Sequence, residues 1–581
     1  MKKKAILLLF GLSASGLLLT ACGGQAGSDS SEGGKSSVFE SIPSDDAANS
    51  SESSTNESAA NSADSESDTW EVAPLHVIVT SRDITRWNKD SYNTEISFSD
   101  FQLSLDEADA ASYPKLVAAL EEQSKTVESG ADSSIEELSG EYADLINYAS
   151  SSDFPNGISH EKTGTVLRAD SNVVSVRADE SWYLGGAHGS RQISGLNYDS
   201  QSGKSLVLSD VLADEATFRS LLISNFREQN AEILDGIFVD LDSYLQALSF
   251  SDSSLAWTID GEGITLYFEP EELGAYAIGS PSVRVFFDSA EGCIQDKYTK
   301  SSNTGYVLSL DDSVESDVNG DGSPESVSLI SEDNGEDMSQ ISLQVDDKKI
   351  PVDDYAYSAE ANLIFCRDSS VYAYVFTRHE NDYTQLYVVD LNSMTCDTEN
   401  PLDLSPASRF VTSWTEGDEN WSSWMQLAFT DPSQFELGQR TDLLGTESVY
   451  QGFHVGSDGL PVTGDSLFLA TSPYVLQAKK DISCTISDEA GNETGNAVIP
   501  KGTFLRMVRT DNQSICDLQE ISSSSLIKTD EDDSVRYTTR LPATPDYSQK
   551  LYRIRLDTST YPSTIDGVDE SELLDGIQYA G

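Results

Sequence analysis

The nonapeptide Asp317-Val318-Asn319-Gly320-Asp321-Gly322-Ser323-Pro324-Glu325 places acids or amides at its positions 1, 3, 5 and 9 and glycine at position 6. Hard oxygen ligands at alternating positions suit calcium, which makes Asp317, Asn319, Asp321 and Glu325 the candidate metal set. Position 12, where an EF-hand supplies a bidentate glutamate, is Ser328, so the loop is not an EF-hand. An acidic turn without metal is the competing reading. A second chemistry-bearing stretch is Tyr183-Leu184-Gly185-Gly186-Ala187-His188-Gly189. Its glycines open backbone conformations closed to other residues and let another chain approach, so Tyr183, Gly185, Gly186, His188 and Gly189 are candidate binding residues. His188 is either a ligand contact, a general base, a pH-sensitive group or a side chain that holds the turn through backbone carbonyls.

Other catalytic signatures are missing. The five histidines, His76, His160, His188, His379 and His454, are scattered, and the chain has no G-x-S-x-G elbow, no H-E-x-x-H and no CxxC. Gly203-Lys204-Ser205 lacks the glycine a phosphate loop needs at position 198, which is Tyr198, and 197–204 reads as a hairpin turn. Lys plus Arg number 36 against 98 Asp plus Glu, a net charge of −62 that excludes nucleic acid as a partner. Carboxylates this plentiful cannot mark an acid and base pair by spacing. Trp414, Trp421 and Trp424 with Phe410 and Phe429 could line a sugar-stacking surface, with Trp421 and Trp424 on one face only if their segment is helical, or they serve as core.

The chain opens with Lys2, Lys3 and Lys4 and an apolar run to Leu19, too short for a membrane span. It closes on Leu19-Thr20-Ala21-Cys22-Gly23, which resembles the lipobox of bacterial lipoproteins and implies a signal peptide over residues 1–21 and diacylglycerol on Cys22. Residues 23–69 hold 15 serines and 10 acids with one basic residue, Lys35. Such a composition cannot bury enough apolar area to offset its chain entropy, so 22–69 reads as a disordered tether. Export permits disulfides, and Cys366 with Cys396 and Cys484 with Cys516 are candidate local bridges, Cys293 being left over; five buried thiols are the alternative.

Three folded regions must position these residues. Over 70–290, Leu75, Val77 and Val79 alternate as in a strand, while Ile135, Leu138, Tyr142, Leu145 and Ile146 follow helical spacing. Phe218, Leu221, Leu222 and Phe226 predict a second helix behind Asp214 as N-cap, and 263–268 and 283–287 predict strands, so the region is α+β. The order of the 183–189 motif, Asn197-Tyr198-Asp199, Leu206-Val207-Leu208-Ser209-Asp210, Trp257, Leu266-Tyr267-Phe268-Glu269-Pro270 and Ala275-Tyr276-Ala277-Ile278-Gly279 resembles the RsiV-like domain. That domain forms the extracytoplasmic end of a lysozyme-sensing anti-sigma factor and stands beside the catalytic domain of some peptidoglycan deacetylases. The resemblance covers about 159–287. Region 305–462 is β-rich, with runs at 371–376 and 385–389, and its acidic turn resembles the calcium turns between strands of β-propeller-like repeats in extracellular proteins. From 465 to 581 short strands recur at 474–477, 481–486, 503–509 and 552–556 and predict a small β-barrel that resembles bacterial SH3 modules.

The sequence thus describes a multidomain chain: an RsiV-like α+β domain, a β-rich domain and a small C-terminal β-barrel on an acidic tether. Because the resemblance places catalysis in a different domain, it implies recognition: a lipid-anchored cell-surface protein whose partner is a lysozyme-type hydrolase or peptidoglycan, with calcium as the expected cofactor. The alternatives are a peptidoglycan-acting enzyme or enzyme accessory, with His188 and a carboxylate as acid and base, and an extracellular scaffold.

Overall fold

Alternation at the N-terminal edge becomes a strand, β1 (Val77–Trp87), paired antiparallel with β2 (Thr94–Leu105) from Val77 opposite Leu105 to Trp87 opposite Thr94. The computed structural model describes residues 71–579 except 88–93, 149–156, 186–187, 311–312, 334–337, 381–382, 417–418, 472, 532–533 and 540–544. The signal segment, Cys22 and the tether therefore lie outside the described residues. After the short α1 (Glu107–Ala110), capped by Asp106, comes α2 (Pro114–Tyr148), which opens on a proline whose missing N–H costs nothing at a first turn. It contains the predicted helical run and buries Leu116, Leu120, Ala131, Ile135 and Leu138. β3 (Ile158–Ala169) then runs parallel to β2, as a helical crossover demands, and β4 (Val173–Tyr183) and β5 (Ser190–Asp199) follow antiparallel.

The second predicted helix is α3 (Glu215–Gln229). Asp214 caps it by accepting from the N–H groups of Ala216 and Thr217 at 3.0 and 3.1 Å. Its Phe218, Leu222 and Phe226 are fully buried, in one core with α4 (Leu241–Ala247) and a three-stranded sheet of β6 (Trp257–Ile259), β7 (Gly263–Tyr267) and β8 (Ser282–Phe286).

Nine strands follow: β9 (Gly305–Leu310), β10 (Ser313–Ser316), β11 (Glu325–Asp333), β12 (Ser339–Val345), β13 (Lys348–Ala356), β14 (Ser358–Cys366), β15 (Val371–Arg378), β16 (Thr384–Asp390) and β17 (Thr395–Cys396). They form a sheet β10-β11-β12-β13 and a sheet β17-β16-β15-β14-β9. The unbroken apolar run of β15 has a cause: Val371, Ala373 and Val375 face the core shared with the four-stranded sheet, whereas Tyr372, Tyr374 and Phe376 enter a second core on the opposite face.

After β18 (Ser405–Pro406) the chain returns to the first sheet. The hairpin of β19 (Arg409–Glu416) and β20 (Glu419–Leu427) pairs with β1, giving the order β19-β20-β1-β2-β3-β4-β5. Because β20 is extended, residues three apart point to opposite faces. Trp421 packs beneath α2 with Ile135 and Leu138, and Trp424 meets Phe410 edge-on at 5.3 Å.

The C-terminal barrel is not formed. β21 (Phe435–Thr441), β22 (Glu447–Val455), β23 (Pro461–Val462), β24 (Phe468–Ala470), β25 (Leu476–Ala478), β26 (Ile482–Ser487), β27 (Glu493–Ile499), β28 (Phe504–Thr510), β29 (Ile515–Glu520), β30 (Leu526–Glu531), β31 (Ser534–Thr539) and β32 (Leu551–Arg555) include the predicted strands. Their main path is open, β18-β21-β22-β24-β28-β29-β32-β26-β27, and β30 and β31 form a separate hairpin whose Thr538 bridges to Tyr474 before β25. Closure needs a ladder between the two end strands. At one end β18 is two residues long and includes Pro406, which cannot donate; at the other, residues 493–496 of β27 are exposed and polar. The SH3-like expectation falls with the barrel.

All five described cysteines are free thiols. Cys366 and Cys396 are separated by two intervening strands and pack on opposite faces of their sheet, and one strand, β32, separates Cys484 from Cys516. Neighbouring strands lie about 4.8 Å apart, so each pair exceeds the reach of a disulfide.

Candidate functional site

The glycine-rich motif is the turn between β4 and β5. Gly185 adopts φ +85°, and a Cβ on Gly189 would come within 2.7 Å of the Trp182 carbonyl oxygen, so both positions require glycine. Gly186 lies outside the described residues. Tyr183 ends β4, and beyond the turn Arg191 pairs with Asp179, which also accepts from Arg177 Nε at 2.7 Å.

The turn brings two distant motifs together. The His188 ring stacks on Tyr276, with centroids 5.4 Å apart and planes at 30°. Loss of solvent holds the imidazole below its ordinary pKa, so it is neutral at neutral pH; burial, then Glu271, pushes the Tyr276 phenol up. The Tyr276 segment is braced by a glycine contact on its other side. The N–H groups of Phe238 and Ala275 donate to the carbonyls of Leu273 and Gly236 at 3.0 and 3.2 Å, and a Cβ on Gly274 would come within 2.2 Å of the Gly236 oxygen.

This close approach lifts Phe238 off the surface at 76% exposure. Around it the two segments carry Glu232, Asp235, Asp240, Glu269 and Glu271, all exposed, and residues 228–283 contain no lysine or arginine. Phe238 is thus an exposed aromatic on segments whose exposed charges are all acidic. The sequence signal for Phe238 was the apolar triplet Ile237-Phe238-Val239, which belongs to no strand or helix.

The acidic turn lies between β10 and β11, and its last residue, Glu325, opens β11. The carboxylates of Asp317, Asp321 and Glu325 lie within 4.8 Å of one another and could coordinate a metal ion. Asp317 accepts from the N–H groups of Gly320 and Gly322 at 2.7 and 2.9 Å, while Glu325, nearly buried, accepts from Val318 N–H at 3.0 Å and from the Asn319 amide at 2.6 Å. Burial pushes the Glu325 carboxyl up, so a bound cation would be compensated by a group that is costly to leave charged alone.

No family model matches the chain, and comparison with curated proteins yields no match. Among solved structures, the chain is similar to a DUF3298-family protein of Bacteroides fragilis at 15% identity, over 39% of this chain and 96% of that one, with a TM-score of 0.31. A DUF3298-family protein of Pseudomonas aeruginosa is similar at 15% identity, over 39% and 98% of the two chains, with a TM-score of 0.26.

Proposed function

We propose that the chain is a surface-binding lipoprotein, held at the outer face of the membrane by diacylglycerol on Cys22, that captures a basic envelope hydrolase of the lysozyme type through the surface of His188, Tyr276 and Phe238. The observation that carries the reading is Phe238, exposed beside the stacked pair within a stretch free of basic residues. The RsiV-like motif order and the net charge of −62 support it. Among the described residues no helix is long and apolar enough to cross a membrane, which leaves the lipid as the anchor in this reading.

With the protein held on a sensor surface by its N terminus, rising salt should slow association of a basic lysozyme, because it screens the long-range field. Phe238→Ala should speed dissociation about thirtyfold, the weight of a central aromatic anchor worth about 2 kcal/mol. Binding that vanishes at moderate salt and ignores Phe238→Ala and His188→Ala is nonspecific attraction and ends this reading.

Calcium is the cation proposed for the acidic turn, since its donors are all oxygens. A calcium concentration a hundredfold above Kd adds about 2.7 kcal/mol to the stability of the folded region. The thermal midpoint should therefore rise in millimolar calcium, fall with chelator and lose both responses in Asp321→Ala; an indifferent midpoint removes the cofactor.

A further inference from the structure

Two part-buried polar clusters fasten the first α+β region to the rest of the chain. In one, His76 lies between two carboxylates: Nδ1 is 2.9 Å from Asp109 Oδ2 and Nε2 is 3.3 Å from Asp431 Oδ2. Asp109 belongs to α1, and Asp431 follows β20 on the path into the C-terminal sheet, where its carboxylate also accepts from Ser433 N–H at 2.9 Å. A neutral imidazole has only one N–H, so it would aim a lone pair at one of these carboxylates; the imidazolium satisfies both. In the second cluster Glu262, between β6 and β7, accepts from Tyr306 Oη of β9 at 3.1 Å and Ser316 Oγ of β10 at 2.9 Å, and pairs with Arg284 of β8 at 3.1 Å. Arg284 is shared with Asp260 at 2.7 Å.

We infer that this joint is a proton-operated clasp, tight in mildly acidic surroundings and loosened as they become alkaline. The Asp431 hydrogen bond raises the His76 pKa, against burial and with help from Asp109, and burial pushes Glu262 up to about 7 despite Arg284. Both folded values are raised. Their stabilisation is therefore full below the unfolded values of 6.5 and 4.5 and is lost as pH rises through the folded ones. Asp431 is depressed by the His76 and Ser433 bonds, which outweigh its burial, so its share is lost only as pH falls well into the acid range.

Hydrogen exchange of the intact chain, corrected for intrinsic rates, reads the clasp directly. Protection of segments 72–76, 303–306 and 428–434 should fall about tenfold more between pH 5 and 8 than that of β28 and β29, because opening the joint releases the protons held by His76 and Glu262. His76→Gln should flatten the fall above pH 6, and Glu262→Gln, which keeps an acceptor for both hydroxyls, should flatten its neutral part. The wild-type profile needs no variant to be read. A flat wild-type profile, or variants that parallel it, overturns the inference.

Discussion

Arg168→Ala should destabilise the first α+β region by about 3–5 kcal/mol, the range for removing one partner of a buried ion pair. Arg168, on β3, is 5% exposed. Its Nε donates to Asp170 at 2.6 Å, and its Nη atoms donate to the carbonyls of Asp260, Tyr298 and Lys300 at 3.1, 2.7 and 2.6 Å. One guanidinium therefore neutralises a buried acid and staples the segment that leads from the first region into β9. Alanine leaves Asp170 with only its bonds from the N–H groups of Asn172 and Val173, and leaves three carbonyls to find water. Unfolding of so many packed sheets need not be two-state, so the loss is best read as faster hydrogen exchange across β3 and β4. A change under about 1 kcal/mol would mean that water replaces the arginine at no cost, and the staple would be no more than a contact.

What was legible in the sequence is what local chemistry decides. The helix α3 could be read because Asp214 offers its carboxylate to the first N–H groups and because the phenylalanine and leucine spacing fixes one buried face. The run in β15 could be read as a strand, although only the structure shows that its two faces serve different cores. The return of β19 and β20 to β1 could not. Ile84 and Trp421 pair across 337 positions of sequence, and nothing in an apolar strand names its partner. Closure of the C-terminal strands failed for the same reason, since recurrence at short spacing predicts strands but not the ladder that would join β18 to β27.

The candidate site divides in the same way. The 185–189 turn and the acidic turn were visible because glycine and alternating acids are local signatures. The stacking of His188 on Tyr276 and the lift of Phe238 were not, because each depends on backbone segments that meet only in the fold. Arg168, His76 and Glu262 were hidden among 98 carboxylates and their few cations, where composition gives no means of telling a solvated charge from a buried one.

The largest loss is expected at Asp517, which is fully buried and carries two arginines. Arg509 donates to its Oδ2 through Nε at 2.9 Å, and Arg553 donates to Oδ1 through Nε at 2.7 Å and to Oδ2 through Nη2 at 2.9 Å. The same arginines hold the turn before β27: Arg509 donates to the carbonyls of Asp488 and Glu489, both at 2.7 Å, and Arg553 to that of Gly491 at 2.6 Å. Asp517→Ala would leave two buried cations without their carboxylate, held only by backbone carbonyls and, for Arg509, the Ser487 hydroxyl at 2.8 Å, so the C-terminal sheet should lose about 3–5 kcal/mol. Asp517→Asn, which keeps the shape but not the charge, should lose less. The contrast that isolates burial is the exposed Lys480 and Glu572 pair, 2.9 Å apart, where Glu572→Gln should change stability by no more than about 0.5 kcal/mol. A chain carrying Arg509→Met, Asp517→Leu and Arg553→Met together should recover much of the loss, because it removes the charges along with their partner. The triple also frees the turn before β27, so the matching control is Arg509→Met with Arg553→Met, which frees the turn and leaves Asp517 alone; if the triple is no more stable than that control and no better than Asp517→Ala, the electrostatic account of this core has to be withdrawn.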